Sequence, residues 1–452
     1  MDRMGFYELI DGLPAVRDDF VPKEHYGKEF ARLEAEYVWP ATWQMACREE
    51  DLPNAGSYIT YDILGDSIVV LRDKAGTIRA FHNVCPHRGN RLVSGAGRLT
   101  KLHCSFHGWE WDTAGANIFL KDPEDWKGCS GMFDGDMDLQ TVHVGSWGGF
   151  IYVNMSDEPE PFSQFIDPVP TYLDCLEFQK MRTKWHKQIM LPANWKVALE
   201  PFLESYHIYT THHQTAGFLD EASVSTTHGR HGKHGYPNAA LLGTPSPRTG
   251  KPSPKDFRQN YVTAIQELAK QTGGDVDRVG SASGRSADAV GRILTELPPD
   301  ASLIDIHIAG LRFMREAAEA EGAGWPEVSD EQAAGLGVDW NIFPNMVLVF
   351  SLDSTLVFRS RPDGKRNDRC IFDMWGLIRC NPENPPAPTS EFFEDWRENI
   401  DKIPSLLVQD LRNIEKVQAG MASRSFAGSR ISPVQERQIF NLHKNLREYI
   451  GK

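Results

Sequence analysis

Cys85 and His87 stand one residue apart, and Cys104 and His107 two residues apart, within "CPHRGNRLVSGAGRLTKLHCSFHGWEWD" (85–112). Four such side chains can hold a metal, and their pairing bears on which one. Structural zinc modules usually pair like with like, two thiolates on one knuckle and two imidazoles on a helix turn. Here each loop supplies one Cys and one His. That suits a two-iron cluster in which one iron takes both thiolates and the other both imidazoles. Neutral imidazole in place of thiolate removes negative charge and raises the reduction potential. Gly89, Gly95, Gly97 and Gly108 let the backbone approach such a cluster closely. The stretch therefore reads as an electron carrier. Cys47, Cys129, Cys175, Cys370 and Cys380 have no partner spacing and read as core or surface residues.

An electron carrier needs something to feed. "NWKVALEPFLESYHIYTTHHQ" (194–214) places Glu200, Glu204, His207 and Thr211 at helical spacing, on one face. Carboxylates and a histidine on an interior face are costly unless a metal or partner charge compensates. His207 and His212 are five positions apart, about 140° around an ideal helix. Both reach one metal only if the helix bends or ends between them, and the β-branched run Ile208-Tyr209-Thr210-Thr211 is the place for that. This spacing also differs from that of the H-E-x-x-H zinc hydrolases. A carboxylate should complete a two-His, one-carboxylate triad, which leaves positions open for O2 on ferrous iron. In "KIPSLLVQDLRNIEKVQAGMAS" (402–423), Ile403, Leu407, Ile414, Val417 and Met421 form an apolar helical stripe, and Asp410 falls inside it. A carboxylate there needs a strong partner: a metal, or alternatively an interior arginine.

The elements that must position these residues follow from periodicity. Residues 22–37 read as an amphipathic helix. "SYITYDILGDSIVVLRDKAGTIRAFHNV" (57–84) alternates β-branched and aromatic residues between turn signals, and "GSWGGFIYVNM" (145–155) is a further strand. The Pro-rich 156–170 reads as a linker. Beyond it come a strand at 182–191, the helix bearing His207, and an irregular segment, 214–340, with helical patterns at 257–271 and 303–322. Loops are expected at 228–238 and 243–255, and a flexible stretch at 273–286. His228, His231 and His234 read as solvated loop histidines without a nearby carboxylate. Strands fill 345–378 around a Pro362-Asp363-Gly364 turn, and helices are expected at 388–422 and 433–449. Arg88, Arg91, Arg98 and Lys101 could dock an acidic electron carrier.

Bulk properties narrow the setting. The net charge of −14 over 452 residues argues against nucleic acid or an anionic membrane as partner. The acidic N-terminus lacks the basic and apolar regions of a signal peptide, and no apolar run approaches the roughly 20 residues of a membrane span. Seven scattered cysteines do not make a disulfide framework. A cytoplasmic, reducing setting is expected. No G-x-G-x-x-G joins a strand to a helix, so nicotinamide or flavin chemistry belongs to another protein.

"HNVCPHRG" and "CSFHGW" resemble the Rieske [2Fe–2S] motif of ring-hydroxylating oxygenases, with Ser105-Phe106 where the family usually carries Pro-Tyr or a similar pair. The pattern E-x2-H-x4-H over 204–212, "FPN" (343–345) and "QDLRNIEKVQAGM" (409–421) resemble the catalytic domain of Rieske non-heme iron oxygenase α subunits. The resemblance covers about 30–220 and 340–425 and implies an α+β chain. Residues 1–37 would be an N-terminal helical segment of the catalytic unit and 38–156 an antiparallel β Rieske domain. Residues 157–452 would be a helix-grip-like catalytic domain of antiparallel sheet and helices, its pocket covered by 214–340. By the same likeness Cys85, His87, Cys104 and His107 hold the [2Fe–2S] cluster, and His207, His212 and Asp410 a mononuclear Fe(II). Glu204 matches the acid that bridges the two centres across a subunit boundary, which implies a homotrimer. The family often has Asn after the residue matching Glu200, and this chain has Pro201, so no amide role carries over. The implied activity takes NAD(P)H electrons from a separate reductase, with or without a ferredoxin, activates O2 and hydroxylates an aromatic or other apolar ring. Dihydroxylation is expected first. Monohydroxylation and oxidative O- or N-demethylation use the same residues, and the remaining alternatives are a Rieske electron-transfer protein and a zinc-stabilised binding or scaffold protein. A small β subunit is compatible with every one of these.

Overall fold

The alternating stretch near the N-terminus becomes three adjacent antiparallel strands, Ser57–Ile63, Asp66–Arg72 and Ile78–His82, with Tyr58 opposite Leu71 and Ile68 opposite His82. The computed structural model describes residues 9–10, 13–14, 16–129, 137–236, 242–270 and 279–451. The chain divides into two units, Glu34–Phe165 and the remainder, Met1–Leu33 with Ile166–Lys452. No helix among the described residues is long and apolar enough to cross a membrane.

In the smaller unit a seven-stranded antiparallel sheet runs in the order Gln44–Arg48, Phe150–Asn154, Thr141–Trp147, Ile78–His82, Asp66–Arg72, Ser57–Ile63 and Ala96–Arg98. A second sheet joins Leu102–His103, Glu110–Trp111 and Asn117–Phe119. Val69, Leu71, Phe81, Leu102, Trp109 and Trp111 pack with Cys85 and Cys104 in one core. Both cysteines are thus fixed by apolar packing at the bases of their loops.

The larger unit is built on eight strands, in the order Val224–His228, His231–Gly235, Asp339–Ile342, Met346–Phe350, Ser354–Pro362, Cys370–Arg379, Met181–Leu191 and Thr389–Phe393. All neighbours are antiparallel except the last pair. A buried ion pair from Arg359 Nη2 to Asp373 Oδ2 at 2.7 Å ties two central strands together. Helices Trp195–Leu199 and Arg437–Ile450 pack on the sheet, and Ser405–Met421 packs on the first of them. The family of α+β folds expected from the sequence is what is seen.

Several local expectations are corrected. The helix at 22–37 is split by Gly27 into Lys23–Tyr26 and Lys28–Leu33, followed by a wider turn over Glu34–Val38. A strand precedes it, Phe20–Pro22, paired with Gly428–Arg430. The linker contains two short helices, Phe162–Ile166 and Val169–Leu173, the second starting beside prolines whose fixed φ suits a first turn. Residues 388–404 are not one helix with 405–422. Thr389–Phe393 is a strand and Pro404 sets the start of the helix Ser405–Met421. Within 214–340, helices Arg258–Ala269, Gly284–Ala289 and Leu303–Ala320 share their own core around Tyr261, Ile306 and Phe313, so this segment is far more regular than expected. Residues 273–278 of the expected flexible stretch, and most of the first 15 residues, lie outside those described.

Candidate metal centres

The two Cys/His loops close in the same way. Gly89 N–H donates to Cys85 O at 2.9 Å, and Gly108 N–H to Cys104 O at 2.9 Å. Cys85 N–H donates to Asn90 O and Cys104 N–H to Trp109 O, both at 2.8 Å. Each turn needs a left-handed residue, supplied by Gly89 at φ 76° and Gly108 at φ 78°. The histidines project from these turns with ring centroids 4.5 Å apart, and His87 stacks on Trp109 at 4.8 Å. Burial pushes the Cys85 thiol up. It acts the same way on Cys104, but backbone N–H groups of His107 and Phe106, with Cys85 and Asn90, outweigh it and hold that thiol below its ordinary range.

Nδ1 of His87 and Nδ1 of His107 are both buried and without a hydrogen-bond partner. Two buried thiols and two unpartnered imidazole nitrogens, presented by loops of equal form, fit a mixed Cys/His two-iron cluster. Of the basic residues nearby, Lys101 pairs with Glu110 at 2.6 Å and Arg91 with Asp62 at 3.5 Å. Arg98 donates to Ala55 O, and Arg88 lies over the Phe106 ring. The basic cluster is therefore partly neutralised.

The second centre rests on a broken helix. Asn194 caps Trp195–Leu199 by accepting from Lys196 N–H, a tighter turn follows over Glu200–Leu203, and Glu204 is extended at φ −156°, ψ 166°. Pro201 has no N–H with which to continue the helical ladder. The single face expected to carry Glu200, Glu204 and His207 is thus not formed. Instead Glu204 folds back on His207: Oε2 accepts its backbone N–H at 3.0 Å, and Oε1 lies 2.7 Å from ring Nδ1. A one-turn helix, Ile208–Thr211, ends at His212, whose φ −107°, ψ 46° leaves the helical region.

That break swings the second imidazole onto the first. His207 Nε2 and His212 Nε2 are 3.2 Å apart. Asp410, buried on the helix Ser405–Met421, places Oδ1 3.1 Å from His212 Nε2 and 3.5 Å from His207 Nε2. The three candidate ligand atoms lie within 4.8 Å of one another, and among the described residues no arginine pairs with Asp410. Oδ1 of Asp410 is buried and has no hydrogen bond. Each ring is oriented through its other nitrogen, His207 by Glu204 and His212 by Gln409 Oε1 at 2.8 Å from Nδ1. A histidine whose Nδ1 is engaged by an acceptor turns a lone pair outward at Nε2, as a metal ligand must. Burial works against charge on His207, but Glu204 and Asp410 overcome it and push its pKa up to about 9. The same carboxylates favour any cation held between the rings. The donor set, the unpartnered Oδ1 and the oriented rings fit a two-His, one-carboxylate iron site.

Sequence reasoning missed the supports. Gln409 was readable only as the neighbour of Asp410. Glu200 was singled out, but not its partners: Tyr26 Oη donates to Glu200 Oε1 at 2.8 Å, and His443 Nε2 lies 2.8 Å from the same atom. His443 in turn meets His25, ring nitrogens 3.1 Å apart. Burial pushes Glu200 up to about 8 and His443 well below its ordinary range. His228, His231 and His234 are not in a solvated loop. They lie on the hairpin Val224–His228 and His231–Gly235, where His231 Nδ1 accepts from Phe343 N–H and His234 Nδ1 lies 2.8 Å from Asp339 Oδ1.

Comparison with known proteins bears on both centres. A family model described as "Ring hydroxylating alpha subunit (catalytic domain)" matches residues 178–452, and one described as "Rieske [2Fe-2S] domain" matches residues 42–125. The glycine betaine monooxygenase oxygenase subunit of Chromohalobacter salexigens is 32% identical over 239 residues, 49% of this chain and 52% of that protein. The carnitine monooxygenase oxygenase subunit of Escherichia coli K12 is 30% identical over 218 residues, 46% of this chain and 56% of that protein. The chain thus spans about half the length of the curated relatives it matches. A crystal structure of the quaternary ammonium Rieske monooxygenase CntA with L-carnitine shares the fold, with TM-score 0.62 and 17% identity over 95% of each chain.

Proposed function

The chain belongs to the ring-hydroxylating α subunits, with a Rieske [2Fe–2S] domain ahead of the catalytic domain, and from that premise we propose that it is the oxygenase component of a monooxygenase acting on a small N-methylated organic cation. The observation that carries the oxygenase reading is the convergence of His207 Nε2, His212 Nε2 and Asp410 Oδ1. The relatives' activities on glycine betaine and carnitine support the substrate class.

In this reading Cys85, His87, Cys104 and His107 hold the [2Fe–2S] cluster, and His207, His212 and Asp410 hold Fe(II). When bound, these groups supply single electrons and the redox chemistry that activates dioxygen. The chain's own residues do the rest. Glu204 and Gln409 fix the two imidazoles from behind. Glu204 also stands where an electron from a neighbouring copy's cluster would enter, in a homotrimer served by a separate NAD(P)H reductase, with or without a ferredoxin. Two electrons and two protons are consumed with one O2; one oxygen enters a C–H bond beside nitrogen and the other leaves as water.

Ring hydroxylation is the second reading. The family's description favours it, as do Phe202, Phe358 and Phe372, whose rings stack at 4.4 to 5.8 Å beside the iron-ligand segment. Cis-dihydroxylation would place both oxygens in the product.

The test is iron content, EPR of the reduced protein, and oxygen uptake with glycine betaine, carnitine and naphthalene. About three irons per chain and a low-average-g signal are expected, with uptake and a hydroxylated or demethylated product from one of the two cations. About two irons, with no third recovered on adding ferrous iron, would leave an electron carrier. Uptake with naphthalene alone would select the ring reading.

A further inference from the structure

One face of the large sheet carries a row of polar groups whose bonding is unfinished. Asp339 is paired across the ladder with His234 and Val349, and Asn341 with Gly232 and Val347. Residues paired across strands share a face, as do residues two apart along one strand. Asp339, Asn341, Gly232, His234 and Val347 therefore face the same way. Val347 is paired in turn with Phe358, whose ring stacks on Phe202 with centroids 4.4 Å apart. Phe202 and Leu203 run directly into Glu204, so this is the sheet face that carries the iron-ligand segment. Gln438, from the helix Arg437–Ile450, lies over the polar end. A Cβ added at Gly232 would sit 2.9 Å from Gln438 Cγ. Gln438 Nε2 donates to Leu203 O at 3.1 Å and to Asp339 Oδ1 at 3.4 Å.

Asn341 is fully buried, and neither Oδ1 nor Nδ2 has a hydrogen-bond partner. Oδ2 of Asp339 and Oε1 of Gln438 are likewise buried and unpartnered. The other Asp339 oxygen is well occupied, accepting His234 N–H at 3.0 Å with His234 Nδ1 2.8 Å away. Proteins rarely leave one such atom unpaired, because desolvation is not repaid. Here three acceptors and one donor are left open on one face, and two of the acceptors belong to side chains in contact with each other. Two further carboxylates stand near, Asp220 and Glu221, the second already paired with Arg248. Burial, then Asp339, Glu221 and Asp220, raise the Tyr236 phenol above its ordinary range.

We propose that Asp339, Asn341 and Gln438 are specificity-determining residues that hold the charged head of a small organic cation. Oδ2 of Asp339, Oδ1 of Asn341 and Oε1 of Gln438 face the positive charge, and Nδ2 of Asn341 donates to a hydroxyl or carboxylate on the same molecule. The apolar end of the row, Phe358 and Phe202, takes its methyl or methylene groups. This deepens, and rests on, the cation-oxygenase reading. The rival account is that internal waters satisfy the same atoms for purely structural ends.

The test is anaerobic calorimetric titration of the iron-loaded full chain, without turnover, with choline and with its neutral isostere 3,3-dimethylbutan-1-ol. Choline is expected to bind at least about tenfold tighter than the isostere, the order expected for a hydrogen-bonded or paired charge. Asp339→Asn should bring the two within about twofold at unchanged iron content. Asn341→Ala removes a side chain with no partner to lose, so its melting temperature should hold while choline affinity falls about tenfold. That second variant decides the matter if the first does not fold. Unmeasurable choline binding, equal affinity for both probes in the unmutated protein, or full choline affinity in Asn341→Ala would each overturn the proposal. Failure of the oxygenase reading itself would instead appear as a missing third iron.

Discussion

Residues 85–107 supply every candidate ligand side chain of the first centre, and the same pair of backbone bonds closes both of its loops. The second centre draws on 204–212 and 409–410, and Glu200, four residues before Glu204, joins a buried set of partners that runs from residue 25 to 443. In the first, local turn geometry places the ligands and the core only anchors them. In the second, a helix must break twice and a distant helix must arrive in register before three atoms meet. A site of the first kind should tolerate distant damage and suffer from changes within its own turns. A site of the second kind should be separable from the cluster and sensitive to groups far away in sequence.

The strongest attack on that contrast is Asp410→Ala. Iron should fall from about three to about two per chain, oxygen uptake should drop to background, and the cluster spectrum should stay unchanged. Loss of the cluster signal as well would show that the centres are not independent. Next in size is His107→Cys, which keeps a ligand at the same turn but restores negative charge. The cluster should persist with its potential lowered by on the order of 200 mV, measured by redox titration followed by EPR, and the third iron should remain.

A smaller effect separates the centres by pH. Glu200 is buried and its pKa is raised from 4.5 to about 8. Between those values the folded chain keeps a proton that the unfolded chain has released. Stability therefore falls as pH rises through that window, by a few kcal/mol in order of magnitude. Urea midpoints should decline from about pH 5 to about pH 8 in the unmutated protein and decline less in Glu200→Gln. An identical slope would remove Glu200 as the cause. Smallest are Gly89→Ala and Gly108→Ala, where nothing lies within 4 Å of an added Cβ. Only the left-handed backbone is penalised, so each should cost about 1–2 kcal/mol, and nearly the same amount. A large difference between the two melting temperatures would break the equivalence of the loops.

The contrast also explains what was legible in the sequence. Cys85, His87, Cys104 and His107 announce themselves because the chemistry is written within a few residues of each turn. His207, His212 and Asp410 could be nominated by type and spacing, and the end of the helix before His212 was anticipated from its β-branched run. The break at Glu204 was not, because the periodicity of Glu200, Glu204 and His207 outweighed the signal of Pro201. Tyr26, Gln409 and His443 carried no motif at all. They matter only through contacts made after folding. His231 and His234 were misread for the same reason: glycines on either side suggested a loop, while pairing with Asp339–Ile342 made a strand. At 388–404 helical composition lost to an open sheet edge beside Met181–Leu191.

The pairing of Phe20–Pro22 with Gly428–Arg430, and of His25 with His443 across 418 positions, has a consequence for biosynthesis. The first part of the larger unit leaves the ribosome early and meets its partners only when the last helix is made. At about 5–20 residues per second that is a wait of roughly 20 to 80 s. During it the whole of Glu34–Phe165 has emerged, with both of its ends tied to chain that is not yet closed. The inserted unit can thus finish folding first, while an unpaired strand and a short helix with Phe30 and Leu33 still uncovered remain open to chaperones or to mispairing.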